Sequence, residues 1–216
     1  MKLYVYDHCP FCVRARMIFG LKNVPFEKIV LANDDDDTPV RLIGKKVVPI
    51  LEKAEGVAMP ESLDIVRFVD ENCGDHKILA EQIRENVNEW MQKVGPYYNH
   101  LLLPRFVQLG LEEFRTESAV RYFESKKSAS IGSFSDNLAR TSHYLAQLTA
   151  DLAQLENLIV SSTAASGQLS YEDIMLFPML RNLTCVKGLQ FPPKVRQYVT
   201  TMSEQAQVPL YTEKAV

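Results

Sequence analysis

Two cysteines, in the run Cys9-Pro10-Phe11-Cys12, are the side chains of this sequence best suited to covalent chemistry. A thiolate attacks disulfides, and a second thiol one helical turn away can displace the partner from the mixed disulfide so formed. Ahead of them, residues 2–6 (Lys-Leu-Tyr-Val-Tyr) read as a short buried strand and Asp7-His8 as a polar loop. Behind them, the apolar spacing from Val13 to Leu21 reads as a helix. The motif therefore falls at a helix N-terminus, where unpaired amides and the helix dipole favour an anion. Such surroundings lower a cysteine pKa to about 3.5–7.5. Cys9 is expected as an exposed, largely ionised nucleophile, and Cys12, deeper in the helix, as a protonated resolving thiol. Pro10 suits the first helical turn, which needs no donor from it, and Phe11 can cover one side of the site. His8 and Arg14 either add positive potential or are ordinary exposed residues.

A paired-cysteine motif can also be half of a zinc site, which would need a second pair of Cys or His ligands at short spacing. Only Cys73 and His76 are near each other, and they belong to a separate element, so zinc is disfavoured. The chain has four cysteines in 216 residues, too few for a disulfide-stapled scaffold. Cys73 and Cys185 are expected as small buried hydrophobes. Charged residues make up 24% of the chain and nearly cancel, to a net −3, which leaves no electrostatic footprint for nucleic acid or anionic lipid. The N-terminus meets Asp7 and His8 before any apolar signal core develops, and no apolar run reaches the roughly 18 residues of a membrane span. A cytoplasmic protein is the expectation.

The elements that position the motif follow from the same reading. Asn23-Val24-Pro25 breaks the first helix, and residues 26–31 suit a second strand parallel to the first, completing a βαβ unit. Asp34 to Asp37 read as a solvated loop with no functional role. Thr38-Pro39 supplies an N-cap and first-turn proline for a short helix ending near Gly44. Residues 46–51 read as a strand interrupted by Pro49, Glu55-Gly56 as a hairpin turn, and residues 57–59 as the partner strand. Ser62 can cap a helix reaching about Asn72. Beyond that the strand signals fade, and amphipathic stretches at about 81–98, 117–127, 134–158, 171–186 and 193–205 predict an all-helical second part. Gly74, Gly95-Pro96, Ser161 to Gly167 and Phe191-Pro192-Pro193 mark the expected breaks. Ser170 and Asp173 can form a capping box, with Leu169 and Ile174 as the flanking staple.

Two further places bear on the site. Pro49 cannot donate a ladder hydrogen bond, and a cis Val48-Pro49 bond would turn Val48 backbone groups toward a bound peptide. Glu61-Ser62 opens the next helix, whose free amides and Ser62 hydroxyl could receive a small carboxylate, unless Ser62 is a cap alone.

With these residues in place the chain resembles the glutaredoxins, in the form that joins a thioredoxin-like domain to a helical domain as in glutathione transferases. The resemblance runs the full length. It rests on residues 4–12 (YVYDHCPFC), 15–23 (ARMIFGLKN), 48–51 (VPIL) and 59–62 (MPES), and in the helical part on 101–106 (LLLPRF) and 176–184 (LFPMLRNLT). It implies a fold of an α/β thioredoxin-like N-terminal domain (1–72), a linker (73–83) and an all-α, glutathione transferase-like C-terminal domain (84–216). It implies a glutathione-dependent thiol–disulfide oxidoreductase in which Cys9 attacks and Cys12 resolves. The Val48-Pro49 step would be cis and pair with glutathione's cysteinyl backbone, while Glu61 and Ser62 hold its γ-glutamyl end. Partners implied are glutathione and disulfide-containing or glutathionylated proteins, with no metal, nucleic acid or membrane, and the chain acting as a monomer. Where the family motif usually has Tyr, this chain has Phe11, so a phenol hydroxyl is absent. Tyr97, Leu103 and Arg105 could line a cleft over Cys9, although buried packing is the favoured role for that spacing. Two alternatives share the scaffold: a glutathione transferase, against which both cysteines argue, and a non-enzymatic or membrane-associating protein, for which no basic amphipathic face is present.

Overall fold

The first strand alternates Leu3 and Val5 with Tyr4, which sends side chains to opposite faces of a sheet. In the computed structural model, which describes residues 1–216, this strand (β1, Lys2–Val5) is central. It is followed by α1 (Pro10–Leu21), β2 (Glu27–Val30), α2 (Asp37–Ile43), β3 (Ile50–Ala54), β4 (Val57–Met59) and α3 (Ser62–Asn72). The sheet order is β2-β1-β3-β4, with β1 and β2 parallel and the other pairs antiparallel. Leu3 and Val5 join the main core with α1 and α3, while Tyr4 and Ile50 form a small cluster under Leu42 and Ile43 of α2.

Several local expectations shift. Pro49 ends no strand: β3 starts after it and runs on to Ala54, leaving Lys46 to Pro49 as a loop. The cap of α2 falls earlier than Thr38, because the Asp35 carboxylate accepts the Thr38 amide at 2.9 Å and the helix begins at Asp37. Ser62 is the first residue of α3, not its cap; Glu61 precedes it in the left-handed region at φ 71°.

The second part consists of α4 (Glu85–Phe106), a 3-10 turn (Glu112–Phe114), α5 (Glu117–Ile131), α6 (Phe134–Ala139), α7 (Thr141–Glu156), α8 (Tyr171–Leu183), α9 (Pro193–Gln205) and a last 3-10 turn (Thr212–Lys214). The expected break at Gly95-Pro96 does not occur; both lie inside α4, with Pro104. An internal proline costs about 3 kcal/mol. Trp90, Val94, Tyr97, Tyr98, Leu101 and Leu102 are all buried along this helix, and each such side chain contributes about 1.5–3 kcal/mol, so burial wins. The expected helix 134–158 is two, parted at Arg140, where the Arg105 guanidinium donates to the Thr141 hydroxyl at 2.8 Å. The capping box forms: Ser170 N–H donates to Asp173 at 3.0 Å while the Ser170 hydroxyl accepts the Glu172 amide at 3.3 Å.

One core of 49 buried residues runs from Leu3 to Tyr211, so both parts share a single interior. α1 explains this. Apolar on nearly all sides, it is buried on nearly all sides, against α3 within the first part and α8 in the second. Its Gly20 lies so close to the chain after α9 that an added Cβ would sit 1.9 Å from the Ala206 carbonyl oxygen. The segment between α3 and α4 is pinned as well, since the buried Asp70 carboxylate accepts the amides of Ile78 and Leu79, and Ala80 bridges to Ser170.

Candidate active site

Cys9 occupies the N-cap of α1, with its carbonyl accepting the Val13 amide at 3.0 Å, and Pro10 follows in the first turn. Both cysteines are free thiols. Cys9 is half-buried rather than freely exposed; Cys12 is fully buried, and its sulfur accepts the Tyr6 amide at 3.4 Å. The two thiols act on each other, and this gives them opposite character. Donation from the Cys12 thiol is the largest influence on Cys9, outweighing its burial, and with His8 and the Cys12 and Phe11 amides it lowers the Cys9 pKa to about 6. Burial pushes Cys12 well above the ordinary thiol range, and its bond to Cys9 pushes it further. At neutral pH the pair therefore holds one thiolate and one proton, the proton residing on Cys12. Phe11 is 50% exposed, with the Arg14 guanidinium over its ring at 4.6 Å.

The loop ahead of Cys9 is held from the helical part. Arg181 of α8 donates to the Asp7 carbonyl at 2.7 Å and to its carboxylate at 2.8 Å. The Tyr211 hydroxyl and Arg16 donate to the same carboxylate, each at 2.7 Å. Burial alone would raise the Asp7 carboxyl, but Arg181 and Arg16 reverse this and hold it well below the usual carboxylate range. Asn182 donates to the His8 carbonyl at 2.7 Å. Glu113, in the 3-10 turn, accepts the His8 amide at 3.0 Å and faces its ring Nδ1 at 2.8 Å. The His8 ring is enclosed by Tyr6, Phe106, Phe114 and Phe123, their centroids 5.0–5.8 Å away. His8 is thus a buried, partnered residue, not an exposed one.

A cavity of about 570 Å³ opens in front of Cys9 between the two parts. Cys9, Phe11, Val47 and Val48 line it on one side, and Tyr98, Leu103, Tyr122 and Phe123 of α4 and α5 on the other. The Val48–Pro49 bond is cis, and Val48 shares this cavity with Cys9. Glu61 and Ser62 do not line it; Ser62 is buried and Glu61, exposed, pairs with Lys45 at 3.1 Å. Of the three candidate cleft residues on α4, only Leu103 reaches the cavity. Tyr97 donates to Asp151 at 2.6 Å, and Arg105 is buried, donating to the Leu101 carbonyl at 2.7 Å. Asp36, read as plain loop, pairs with Lys46 at the cavity edge. Cys185 is fully buried, its thiol pushed up by burial to about 12, whereas Cys73 is half-buried where α3 ends. A groove of similar size, about 560 Å³, lies on the far side of α1 near Asn23, Phe26 and Gln207 and contains no cysteine. Nowhere do three or more His, Cys, Asp or Glu side chains gather in a way that could hold a metal ion, and no helix is long and apolar enough to cross a membrane.

Sequence reasoning missed Asp7, Glu113, Arg181, Asn182 and Tyr211. One signal was there: Arg181 and Asn182 interrupt an otherwise apolar helical stretch, and a charge in such a stretch is seldom buried unless paired. Glu113 carried no such mark.

The sequence profile of the glutaredoxin 2 C-terminal domain matches residues 86–215, and that of the glutathione S-transferase N-terminal domain matches residues 3–77. The chain belongs to the glutaredoxin 2 family. Glutaredoxin 2 of Escherichia coli K12 is 48% identical over 216 residues, covering all of both chains. The crystal structure of glutaredoxin 2 from Salmonella typhimurium, in complex with glutathione, superposes with a TM-score of 0.97 at 49% identity, covering 100% of this chain and 98% of that one. Glutathione transferase Omega 3C from Trametes versicolor superposes at 0.56 with 18% identity, over 98% of this chain and 87% of that one, a likeness of fold alone. The expected architecture, a thioredoxin-like sheet domain with a transferase-like helical domain, is therefore the one this glutaredoxin adopts.

Proposed function

We propose that Cys9 and Cys12 carry the glutathione-dependent thiol–disulfide exchange of this glutaredoxin, Cys9 as nucleophile and Cys12 as resolving thiol. The observation that supports this is the asymmetric pair at the start of α1: a half-buried Cys9 whose pKa is lowered to about 6, and a buried Cys12 that keeps its proton. On a protein–glutathione mixed disulfide, the Cys9 thiolate bonds to the glutathione sulfur and the protein leaves as a thiolate that takes up a proton. A second glutathione thiolate then attacks this adduct, leaving glutathione disulfide and restoring the Cys9 thiolate. On a disulfide within a protein, Cys9 bonds to one sulfur and releases the other; Cys12 gives up its proton and attacks Cys9, freeing the second thiol. The resulting Cys9–Cys12 disulfide is reduced by two glutathione molecules, which give up two electrons to it and leave joined as glutathione disulfide.

In this reading Val48 and Pro49 receive the cysteinyl part of glutathione, and Glu61 with Ser62 its γ-glutamyl end. Val48 supports this by sharing the Cys9 cavity; Glu61 and Ser62 stand outside it and are supported by their match to the family motif alone. The protein partners are disulfide-containing or glutathionylated proteins, and the chain works in the cytoplasm as a monomer. Its division is 1–72 for the thioredoxin-like domain, 73–83 for the linker and 84–216 for the helical domain.

The test is glutathione-dependent reduction of a small mixed disulfide, coupled to NADPH oxidation through glutathione reductase. Cys9→Ser is expected to abolish turnover, while Cys12→Ser retains a substantial part of it, because the mixed-disulfide route needs one thiol only. Full activity in Cys9→Ser would sink the assignment. Conjugation of an aromatic electrophile that persists in Cys9→Ser, with no disulfide reduction by the unaltered protein, would point to transferase chemistry instead.

A further inference from the structure

The cavity over Cys9 carries a charge that the exchange chemistry leaves unexplained. Three lysines line it, Lys46 from the loop before β3 and Lys126 and Lys127 from α5, and no aspartate or glutamate does. This is a local excess of positive charge in a chain whose net charge is −3. Lys46 is already engaged, paired with Asp36, donating to the Asn33 carbonyl at 2.9 Å and lying over the Tyr122 ring at 3.9 Å. Lys126 and Lys127 form no ion pair. Their ammonium groups lie 5.6 and 5.7 Å from the rings of Tyr122 and Phe123, so aromatic faces hold them at the cavity wall. Opposite them, Phe11 and Val47 stand exposed beside Cys9.

A substrate that brings its disulfide to Cys9 therefore meets an apolar lip on one side and two unpaired cations on the other. We infer that the α5 wall of this cleft is the docking surface for an acidic polypeptide segment flanking the reactive cysteine of a disulfide-bearing protein. Charge complementarity is the argument: apart from the Cys9 thiolate itself, the charged side chains that line the cavity are the lysines, and the complement of the α5 wall is an anionic chain. The inference rests on the oxidoreductase reading above, in which glutathione lies against Val48 and leaves α5 to the other half of the mixed disulfide.

The experiment uses two glutathionylated peptides identical except that the cysteine is flanked by glutamates in one and by lysines in the other. For the unaltered protein the kcat/KM ratio, acidic over basic, is expected on the order of tenfold at low ionic strength, the lower range of electrostatic steering. It should collapse toward one in about 1 M salt, where screening acts within roughly 3 Å. Lys126→Glu/Lys127→Glu should invert the ratio. An unaltered protein that does not discriminate at low salt, or a ratio unmoved by the double reversal, overturns the inference. So does an equal loss on both peptides with a raised KM for glutathione, which would assign the lysines to the tripeptide. No turnover of either peptide or of the small mixed disulfide would instead remove the oxidoreductase reading itself.

Discussion

Asp7 and His8, on the inner side of Cys9, are buried or half-buried and saturated with partners, whereas Lys126 and Lys127, on its outer side, line an open cleft with no ion-pair partner. Both surroundings come largely from the helical part, through Arg181, Asn182 and Glu113 on one side and α5 on the other. The contrast separates two tasks. The inner contacts fix where the start of α1 lies and so where the Cys9 thiolate points; the outer ones leave groups free to meet something that arrives. A positioning contact gains from being dry and fully hydrogen-bonded, since an unpaired buried charge is costly, while a recognition contact cannot be satisfied in advance.

That comparison can be broken most forcefully at Arg181. Truncating one partner of a buried ion pair costs about 3–5 kcal/mol, so Arg181→Ala is expected to lower the Tm by about 10 °C for a chain of this size. The loss should shrink in acid. Because the Asp7 carboxyl is held below its usual range, its contribution is fully present above the unfolded value of about 3.9 and disappears as pH falls through the lowered folded one. Thermal melts across pH 2–7 check this; an unaltered Tm at neutral pH would mean that the inner clamp holds nothing.

A second experiment sharpens the contrast at the thiol itself. Alkylation of Cys9 by a neutral haloacetamide should follow the thiolate fraction, with a midpoint near pH 6 and a tenfold slowing per unit below it. Cys12→Ala removes the largest cause of the lowered value and should move the midpoint up toward the ordinary thiol pKa of about 8.5. A midpoint unmoved in Cys12→Ala would show that the pair is not coupled as described. The smallest effect belongs to the outer side, where Lys126→Ala should leave the Tm within experimental error. A clear drop would mean that this residue supports the fold rather than recognition.

Much of the catalytic half was legible in the sequence because its signals are local. A strand, a two-residue loop and an apolar helix place Cys9 and Cys12 without knowledge of anything beyond residue 21. What failed was judged locally but decided at a distance. Gly95-Pro96 reads as a stop, yet the burial of α4 carries the helix through it. Ser62 has the right side chain for a cap, yet the backbone turn falls one residue earlier, at Glu61. The clamp on Asp7 was illegible for a plainer reason. Arg181 lies 174 residues away, and nothing in either segment names the other. The family resemblance anticipated a helical half without saying what its side chains do for the thiol.

Gly20 carries a consequence for anyone who would rebuild this molecule. A methyl group there would collide with main chain, not with a side chain that could turn aside, so α1 and the segment after α9 meet at a distance only glycine permits. The two halves are therefore not interchangeable parts. A helical half borrowed from another protein would have to bring its own backbone to that same spot, to within a fraction of an ångström, before the cleft in front of Cys9 regained its width.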